Sequence, residues 1–130
     1  MSIGKLVRCL LVVSCLLACS SPSPEELAAL AAQGYYRHLA AGEYEAFLEA
    51  KARADSLPAD YREQLLTGYR QFAAQQQSAH QGIQEVQSSN VVTDTLAGYT
   101  NVFLILSYGD STREEIVVPM VEHNGRWRMK

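Results

Sequence analysis

The sequence predicts an α+β fold in which three N-terminal helices pack on one face of an antiparallel sheet of about four strands. From residue 24 to residue 82, apolar residues recur at spacings of three and four, which is the period of an amphipathic helix. After residue 82, runs rich in β-branched and aromatic residues are separated by short turn signals, which is typical of antiparallel strands. Helices segregated before strands favour the α+β class.

The first predicted helix begins at a strong start signal. Ser23 can cap the helix, Pro24 suits its first turn, and Glu26 completes a capping box with Ser23. Gly42 is expected to end it. The inward face of this helix is predicted to carry Leu27, Leu30, Ala31, Gly34, Tyr35, His38 and Leu39.

Two further helices are expected before the sheet. A short one over residues 43–54 would turn Tyr44, Phe47 and Leu48 inward. Pro58 would open a third, longer helix that ends near Gly82. The stripe of this third helix is predicted to consist of Tyr61, Leu65, Tyr69, Phe72, Gln76 and Ala79.

Four strands are expected after the helices, over residues 83–93, 99–108, 112–123 and 126–130. The second, YTNVFLILSY, has the best strand composition in the chain. Asn124-Gly125 is a strong signal for a two-residue type I′ hairpin, and Gly109-Asp110 is expected to turn the chain between the second and third strands.

Two-residue turns at both hairpins would fix the register of the sheet. They would pair Glu122 with Trp127, Met120 with Met129, Phe103 with Ile116 and Asn101 with Val118. The predicted core face then carries Phe103, Ile105, Ile116, Val118, Met120, Trp127 and Met129. The opposite face would carry Val102, Leu104, Leu106, Val117 and Val121, which is unusually apolar for a face open to water. A bulge in either turn would exchange the faces of one strand.

Several motifs in residues 24–130 together resemble a known group of domains. They are the Tyr35-Tyr36 pair in a capped helix, the segment GEYEAFL, the segment YGDSTREEIVVPMV and the closing hairpin NGRWRMK. With these motifs the chain resembles small bacterial lipoproteins of the nuclear transport factor 2-like, or cystatin-like, superfamily, many of which have no assigned activity. The resemblance implies a curved sheet wrapped around helices, forming a cone whose mouth can hold a ligand.

The N-terminus has the layout of a secretory signal. Lys5 and Arg8 precede ten uncharged residues, 9–18. This run is too short to span a bilayer, because a spanning helix needs about 20 apolar residues. The segment LLAC, which ends at Cys19, resembles the lipobox of bacterial lipoproteins, although Leu17 is bulkier than the usual occupant of its position.

The lipobox resemblance implies cleavage before Cys19 and a lipid anchor on Cys19, with fatty acids such as palmitate. Residues 1–18 would then be a signal peptide, 19–23 a lipidated tether and 24–130 the folded domain. An ordinary cleaved signal with an incidental cysteine, or an uncleaved anchor, are the alternatives. Because Ser20 rather than an aspartate follows the cysteine, the outer membrane of the bacterial cell envelope is expected, and because no acidic run directly follows Cys19, its periplasmic face is favoured.

Cleavage would change the charge and the cysteine count. It would remove Lys5 and Arg8, leaving 9 basic against 14 acidic residues and a formal charge of −5. An acidic chain without clustered cations argues against nucleic acid as a partner. Cys9 and Cys15 would also leave, so that no intramolecular disulfide is expected.

The polar residues give little indication of catalysis. His38 is expected to be half-buried, His80 to lie near a helix end, and His123 to be exposed beside a hairpin. Acid–base chemistry needs carboxylates or histidines fixed on one interior face, and no such pair is evident. No metal site is predicted, because the histidines are isolated, and no cofactor is predicted.

The aromatic residues provide the candidates for a ligand pocket. Core packing is their simplest role, but tyrosine hydroxyls can also supply polar contacts in an apolar pocket, and Tyr61, Tyr69 and Trp127 are the candidates for it. The favoured function is a membrane-tethered, non-enzymatic module that binds a small apolar ligand or another protein. The alternatives are a small enzyme of isomerase or dehydratase type and a structural homodimer formed through the sheet.

Overall fold

The structure is a computed structural model that describes residues 21–130, so the predicted signal peptide and Cys19 lie outside the described residues. Three helices precede four strands, as the α+β prediction requires. The helices are α1 (Pro24–Ala40), α2 (Tyr44–Glu49) and α3 (Ala59–His80), with a 3-10 turn over Ala54–Ser56. The strands are β1 (Ile83–Asp94), β2 (Tyr99–Tyr108), β3 (Arg113–His123) and β4 (Arg126–Met129).

Helix α1 starts where the capping signal predicts. The side chain of Ser23 accepts a hydrogen bond from the backbone N–H of Glu26 at 3.2 Å, and Pro24 occupies the first turn. The acidic residues Glu25 and Glu26 lie in the first turn, where they favour the positive end of the helix dipole.

The predicted inward face of α1 is wrong in its first half. Leu27 is 44% exposed and Leu30 is 58% exposed, whereas Ala28, Ala29 and Ala32 are buried. Small side chains on the buried face let the helix backbone lie close to the sheet. The two leucines are therefore left on the opposite side of the helix, facing solvent.

Helix α2 is shorter than predicted, because the chain after it joins the sheet. The N–H of Met129 donates to the carbonyl of Ala50 at 2.9 Å, and the N–H of Ala52 donates to the carbonyl of Met129 at 2.8 Å. Residues 50–52 therefore cover the free edge of β4, running parallel to it. Phe47 and Leu48 are buried as predicted.

Helix α3 is bound mainly through its first half. Leu66 is its one fully buried residue, and Arg62 forms ion pairs with Glu45, at 3.0 Å, and with Glu49, both on α2. The helix ends close to the predicted Gly82, since Gln81 and Gly82 both adopt positive φ and their N–H groups cap the carbonyls of Gln77 and Gln76.

The sheet is an antiparallel meander with the order β1-β2-β3-β4. The β3–β4 register is as predicted, with Glu122 opposite Trp127 and Met120 opposite Met129. Asn124 and Gly125 both have positive φ, as a type I′ turn requires. Two register shifts interrupt β1, and such bulges bend a strand.

The predicted β2–β3 register is wrong by one residue. Phe103 pairs with Val117 instead of Ile116, and Asn101 pairs with Pro119 instead of Val118. The loop has three residues, because Ser111 adopts a left-handed conformation and the N–H of Tyr108 donates to the carbonyl of Thr112 at 2.9 Å.

The slip exchanges the two faces of β2. The inner face, which packs on the helices, carries buried Val102, Leu104, Leu106, Val118, Met120 and Met129, with Ile116 and Trp127 half-buried. Phe103 and Ile105, predicted to be core residues, alternate with these and lie on the outer face. The outer face also carries Val92 and Val117, which are 47% and 50% exposed. It therefore carries several apolar side chains, but from different residues of β2 than predicted, and Glu115 lies among them, opposite Ile105.

Candidate functional site

The three aromatic candidates lie at different places in the fold. Tyr61 is 47% exposed on the first turn of α3, and Tyr69 is half-buried two turns further along that helix. Trp127 is half-buried on β4, and its carbonyl accepts a hydrogen bond from the hydroxyl of Tyr35 at 2.5 Å. The cavity lined by Trp127, of about 190 Å³, is formed by strand ends and includes neither tyrosine.

Tyr69 belongs to an aromatic cluster that joins all three helices. The ring of Phe47 on α2 packs edge-on against Tyr36 of α1 at 5.1 Å and against Tyr69 of α3 at 4.9 Å. Burial raises the pKa of both tyrosines, and the neighbouring tyrosine, Tyr69 for Tyr36 and Tyr61 for Tyr69, raises it further. Such phenols stay neutral at ordinary pH, so the cluster supplies packing and hydrogen-bond donors but no base.

Neither His38 nor His123 lies in an enclosed site, and His38 is half-buried, as predicted. Nδ1 of His38 lies 3.2 Å from the carboxylate of Glu43, and both side chains are close to half exposed or more. His123 is exposed at the end of β3, as predicted. Exposed pairs of this kind contribute little to stability.

His80 lies in a polar cluster at the C-terminal end of α3. Its Nδ1 is 2.8 Å from Oδ2 of Asp110, while Oδ1 of Asp110 accepts hydrogen bonds from the hydroxyl of Thr112 at 2.5 Å and from its N–H at 3.0 Å. The Thr112 hydroxyl and, after it, His80 lower the pKa of Asp110 to about 2. Next to this pair, the hydroxyl of Tyr108 donates to Glu114 at 2.7 Å. Burial and that carboxylate raise the pKa of Tyr108.

This cluster does not have the geometry of a nucleophile activated by a histidine. In such a triad, one ring nitrogen of the histidine faces the nucleophile and the other faces the carboxylate. Here Nδ1 of His80 faces both Asp110, at 2.8 Å, and the hydroxyl of Thr112, at 3.4 Å. The N–H groups of Gly109 and Asp110 donate to the carbonyls of Gly82 and His80, so these contacts hold the β2–β3 loop against the end of α3. We call this arrangement, together with the side chains of His80, Asp110 and Thr112, the clasp.

The structure forms a pocket that the aromatic pattern does not indicate. Its volume is about 410 Å³, within the range of small-molecule sites. The segment that follows α2 closes it against the ends of β3 and β4. It is lined mainly by apolar surface, from the residues Lys51, Ala52, Arg53, Leu57, Val121 and Lys130.

The charged side chains that line this pocket are all of one sign. Lys51, Arg53 and Lys130 line it, and no carboxylate side chain does. Within the part of the chain that the structure describes, none of these three cations forms a salt bridge. The ammonium group of Lys130 lies 4.3 Å from the centre of the Tyr99 ring, which leaves its donors free for a further partner. We call this site the cationic pocket.

A wider cleft separates the end of α1 from α3 and the start of β1. It encloses about 480 Å³ and is lined largely by alanine, glycine and glutamine, with Arg70 as its one charged residue. It is larger than the cationic pocket but more open and more polar. The cationic pocket therefore offers the better combination of apolar floor and convergent charge.

The described residues offer neither a metal site nor a membrane span. Residues 21–130 contain no group of three histidine, cysteine or acidic side chains placed to hold a metal ion. No helix among these residues combines the length and the hydropathy needed to cross a bilayer.

Comparison with known proteins identifies the fold. No family model and no curated protein matches the chain. A solved structure from Campylobacter jejuni, described provisionally as a nuclear transport factor 2-like transpeptidase, superposes on it with a TM-score of 0.61. The chain has the nuclear transport factor 2-like fold. The two sequences are 9% identical, and the match covers 75% of this chain and 92% of the other. At this identity the likeness extends to the fold alone.

Proposed function

We propose that this protein is a lipid-anchored module of the bacterial cell envelope that binds a small amphipathic anion without catalysing a reaction. The lipobox-like LLAC segment supports the anchor, which would join Cys19 to the membrane, and Ser20 after it supports the outer membrane. The lack of an acidic run directly after Cys19 supports the periplasmic face. One observation carries the binding activity: three cations without paired carboxylates surround an apolar pocket of about 410 Å³.

The chemistry of the pocket defines the class of ligand. Apolar lining from Leu57 and Val121 favours a hydrocarbon part, and the cations favour an acidic group at one end. Arg53 can donate two hydrogen bonds to one carboxylate, whereas Lys51 and Lys130 act as point charges. A medium-chain carboxylic acid is a simple molecule with both properties.

Binding of decanoate to a chain of residues 21–130 tests the proposal, since this chain carries the whole pocket and needs no detergent. Decanol is the matched ligand without the charge. Calorimetry is expected to show decanoate binding that Arg53→Gln weakens by about tenfold, because a charge-assisted hydrogen bond contributes about 1.5–3 kcal/mol and 1.4 kcal/mol corresponds to tenfold. Arg126→Gln, an exposed cation on β4 outside the pocket, is the control. Equal affinity for decanol and decanoate, or an equal loss of decanoate affinity in Arg53→Gln and Arg126→Gln, would contradict the proposed anion binding in this pocket.

The anchor has its own test. Mass spectrometry of the purified protein is expected to show a mature chain that begins at Cys19 and carries fatty acyl groups, and Cys19→Ala is expected to abolish the modification. An unmodified wild-type protein would overturn the lipoprotein part of the proposal and leave the pocket in place.

Catalysis is the weaker alternative. The transpeptidase description belongs to the Campylobacter jejuni protein, and acyl transfer needs a nucleophile activated by a base. In the described residues, the candidate is the cluster of His80, Asp110 and Thr112, whose shared use of Nδ1 favours a structural clasp. An isomerase or dehydratase would need His80 as its base, so that retention of any such activity in His80→Gln would remove this candidate.

A further inference from the structure

A leucine at the tip of the β1–β2 hairpin is completely exposed. Leu96 has 100% of its surface open to solvent. The turn that presents it is well ordered, because Oδ1 of Asp94 accepts the N–H groups of Leu96, at 3.1 Å, and Ala97, at 2.9 Å. The N–H of Gly98 closes the turn on the carbonyl of Asp94 at 2.9 Å. The hairpin therefore holds an apolar side chain outward in a defined position.

The same end of the molecule receives the chain from the proposed anchor. The hydroxyl of Thr93, at the end of β1, donates to the carboxylate of Glu25 at 3.1 Å, which joins the hairpin to the first turn of α1. Only residues 20–23 separate Cys19 from Pro24. Five residue steps span at most about 18 Å, so a membrane that holds Cys19 lies close to this hairpin.

Other exposed apolar side chains lie near this end. Leu27 and Leu30 occupy the first two turns of α1, and Val92 lies four residues before Leu96. The remaining large apolar side chains that are exposed among residues 21–130 are Tyr61 and Val117. A lone exposed leucine is ordinary on a protein surface, but a leucine held outward beside a lipid attachment point favours contact with the lipid.

We infer that this end of the molecule rests on the membrane and that Leu96 inserts into the bilayer interface, an inference that depends on the proposed lipid anchor at Cys19. The acidic residues Glu25, Glu26 and Asp94 at this end offset the charge of Lys130, which lies against Tyr99, so attraction to anionic lipids is not the driving force. Insertion therefore depends on burial of apolar surface, and the anchor assists it by holding the hairpin at high local concentration. The contact occurs on a zwitterionic bilayer.

An environment-sensitive label distinguishes the inserted end from the opposite one. Leu96→Cys and Ser78→Cys are each labelled with a nitrobenzoxadiazole dye on the full chain, purified from bacterial membranes and reconstituted into phosphatidylcholine vesicles. Ser78 is exposed near the end of α3, beside the β2–β3 loop. It lies about 30 Å from the hairpin, the length of a ten-residue strand. The wild-type chain, treated with the same dye, reports any labelling of Cys19.

The expected result is a blue-shifted emission at position 96 that spin-labelled lipids quench, with neither effect at position 78. Flotation of the vesicles distinguishes a failure of the lipid anchor from a failure of the insertion of Leu96. A protein that floats with the vesicles but shows no quenching at position 96, or equal quenching at both positions, would overturn the insertion and leave the anchor intact. A wild-type protein that does not float, or that takes up the dye at Cys19, would overturn the anchor and the insertion together.

Discussion

Gly109 lies where the β2–β3 loop touches the end of α3, and a side chain has no room there. A Cβ atom at this position would lie 2.7 Å from Cβ of Gln81 and 2.8 Å from its carbonyl oxygen. The second contact is with backbone that also anchors the loop, because the N–H of Gly109 donates to the carbonyl of Gly82. We expect Gly109→Ala to lower the free energy of unfolding by about 1–3 kcal/mol, as overpacking commonly does. Denaturant unfolding measures this change.

A second glycine supplies the matched control. Gly68 lies on the exposed side of α3, and a Cβ atom there would meet nothing within 4 Å. Alanine is more favourable than glycine inside a helix by about 0.8–1 kcal/mol, so Gly68→Ala is expected to raise the free energy of unfolding. If both variants shifted stability in the same direction, the close approach at Gly109 would not be the cause.

Asp110 gives the clasp a dependence on pH. Its pKa is lowered to about 2, chiefly by the Thr112 hydroxyl, so that the ionised carboxylate stabilises the folded chain. This contribution is complete above the pKa of an unfolded aspartate, about 4, and is lost as the pH falls towards 2. We expect the stability difference between wild type and Asp110→Asn to be full at pH 5 and to shrink between pH 4 and 2, as measured by denaturant unfolding at each pH.

The control for this prediction is an acidic residue outside the clasp. Glu63 is exposed in the second turn of α3, and Glu63→Gln removes a carboxylate far along the helix from the clasp. A profile for Asp110→Asn that parallels the profile for Glu63→Gln would show that the hydrogen bonds of Asp110 do not couple to folding.

At the level of elements, turn chemistry decided which parts of the sheet could be predicted. Asn124-Gly125 has a strong preference for one loop, and the β3–β4 register followed from it. Gly109-Asp110 was identified as a turn, but Ser111 adds a third loop residue in a left-handed conformation that serine rarely adopts. Nothing in the sequence required that conformation, so the faces of β2 were assigned in reverse.

In the helices, the apolar period alone does not decide which face is buried. In α1, a leucine stripe and an alanine stripe both fit the period of a helix, and only the distance to the sheet selects the alanines.

The cationic pocket could not be predicted from the sequence for another reason. Lys51 and Lys130 are 79 residues apart in sequence, and they come together because residues 50–52 pair with β4. No local pattern encodes that contact.

The helical layer depends on Phe47, which holds α2 between α1 and α3. Phe47 is 6% exposed and contacts both Tyr36 and Tyr69. Phe47→Ala is expected to lower the free energy of unfolding by about 3–5 kcal/mol, because truncation of a buried aromatic residue leaves a cavity. Tyr61→Ala, at a position that is 47% exposed, is expected to cost much less. Thermal or denaturant unfolding compares the two, and similar losses would show that the cluster does not stabilise the helical layer.

At the scale of the whole molecule, the proposed activities occupy different surfaces. The β1–β2 hairpin and the start of α1 form the end proposed to face the membrane, and the clasp closes the opposite end of the sheet. The cationic pocket opens beside β4, between segments that the sheet brings together. The outer face of the sheet, with Val92 and Val117 exposed, remains without a role in these proposals.

We propose that the outer face pairs two copies of the chain, since a second copy presents the same apolar residues in a self-complementary arrangement. Val117 is 50% exposed near the middle of β3, with Phe103 opposite it on β2. Sedimentation in density-matched detergent is expected to give a dimer that Val117→Asp converts to a monomer. Burial of an unpaired charge costs several kcal/mol, and each 1.4 kcal/mol weakens association about tenfold.

The control is Gln71→Asp, which places the same charge at an exposed position of α3. This variant is expected to remain dimeric, and circular dichroism of both variants should match the wild type. A wild-type protein that is monomeric at every concentration would contradict pairing through the sheet. A dimer that persists in Val117→Asp would place the interface on another surface, because burial of a new carboxylate in the centre of this interface would cost several kcal/mol.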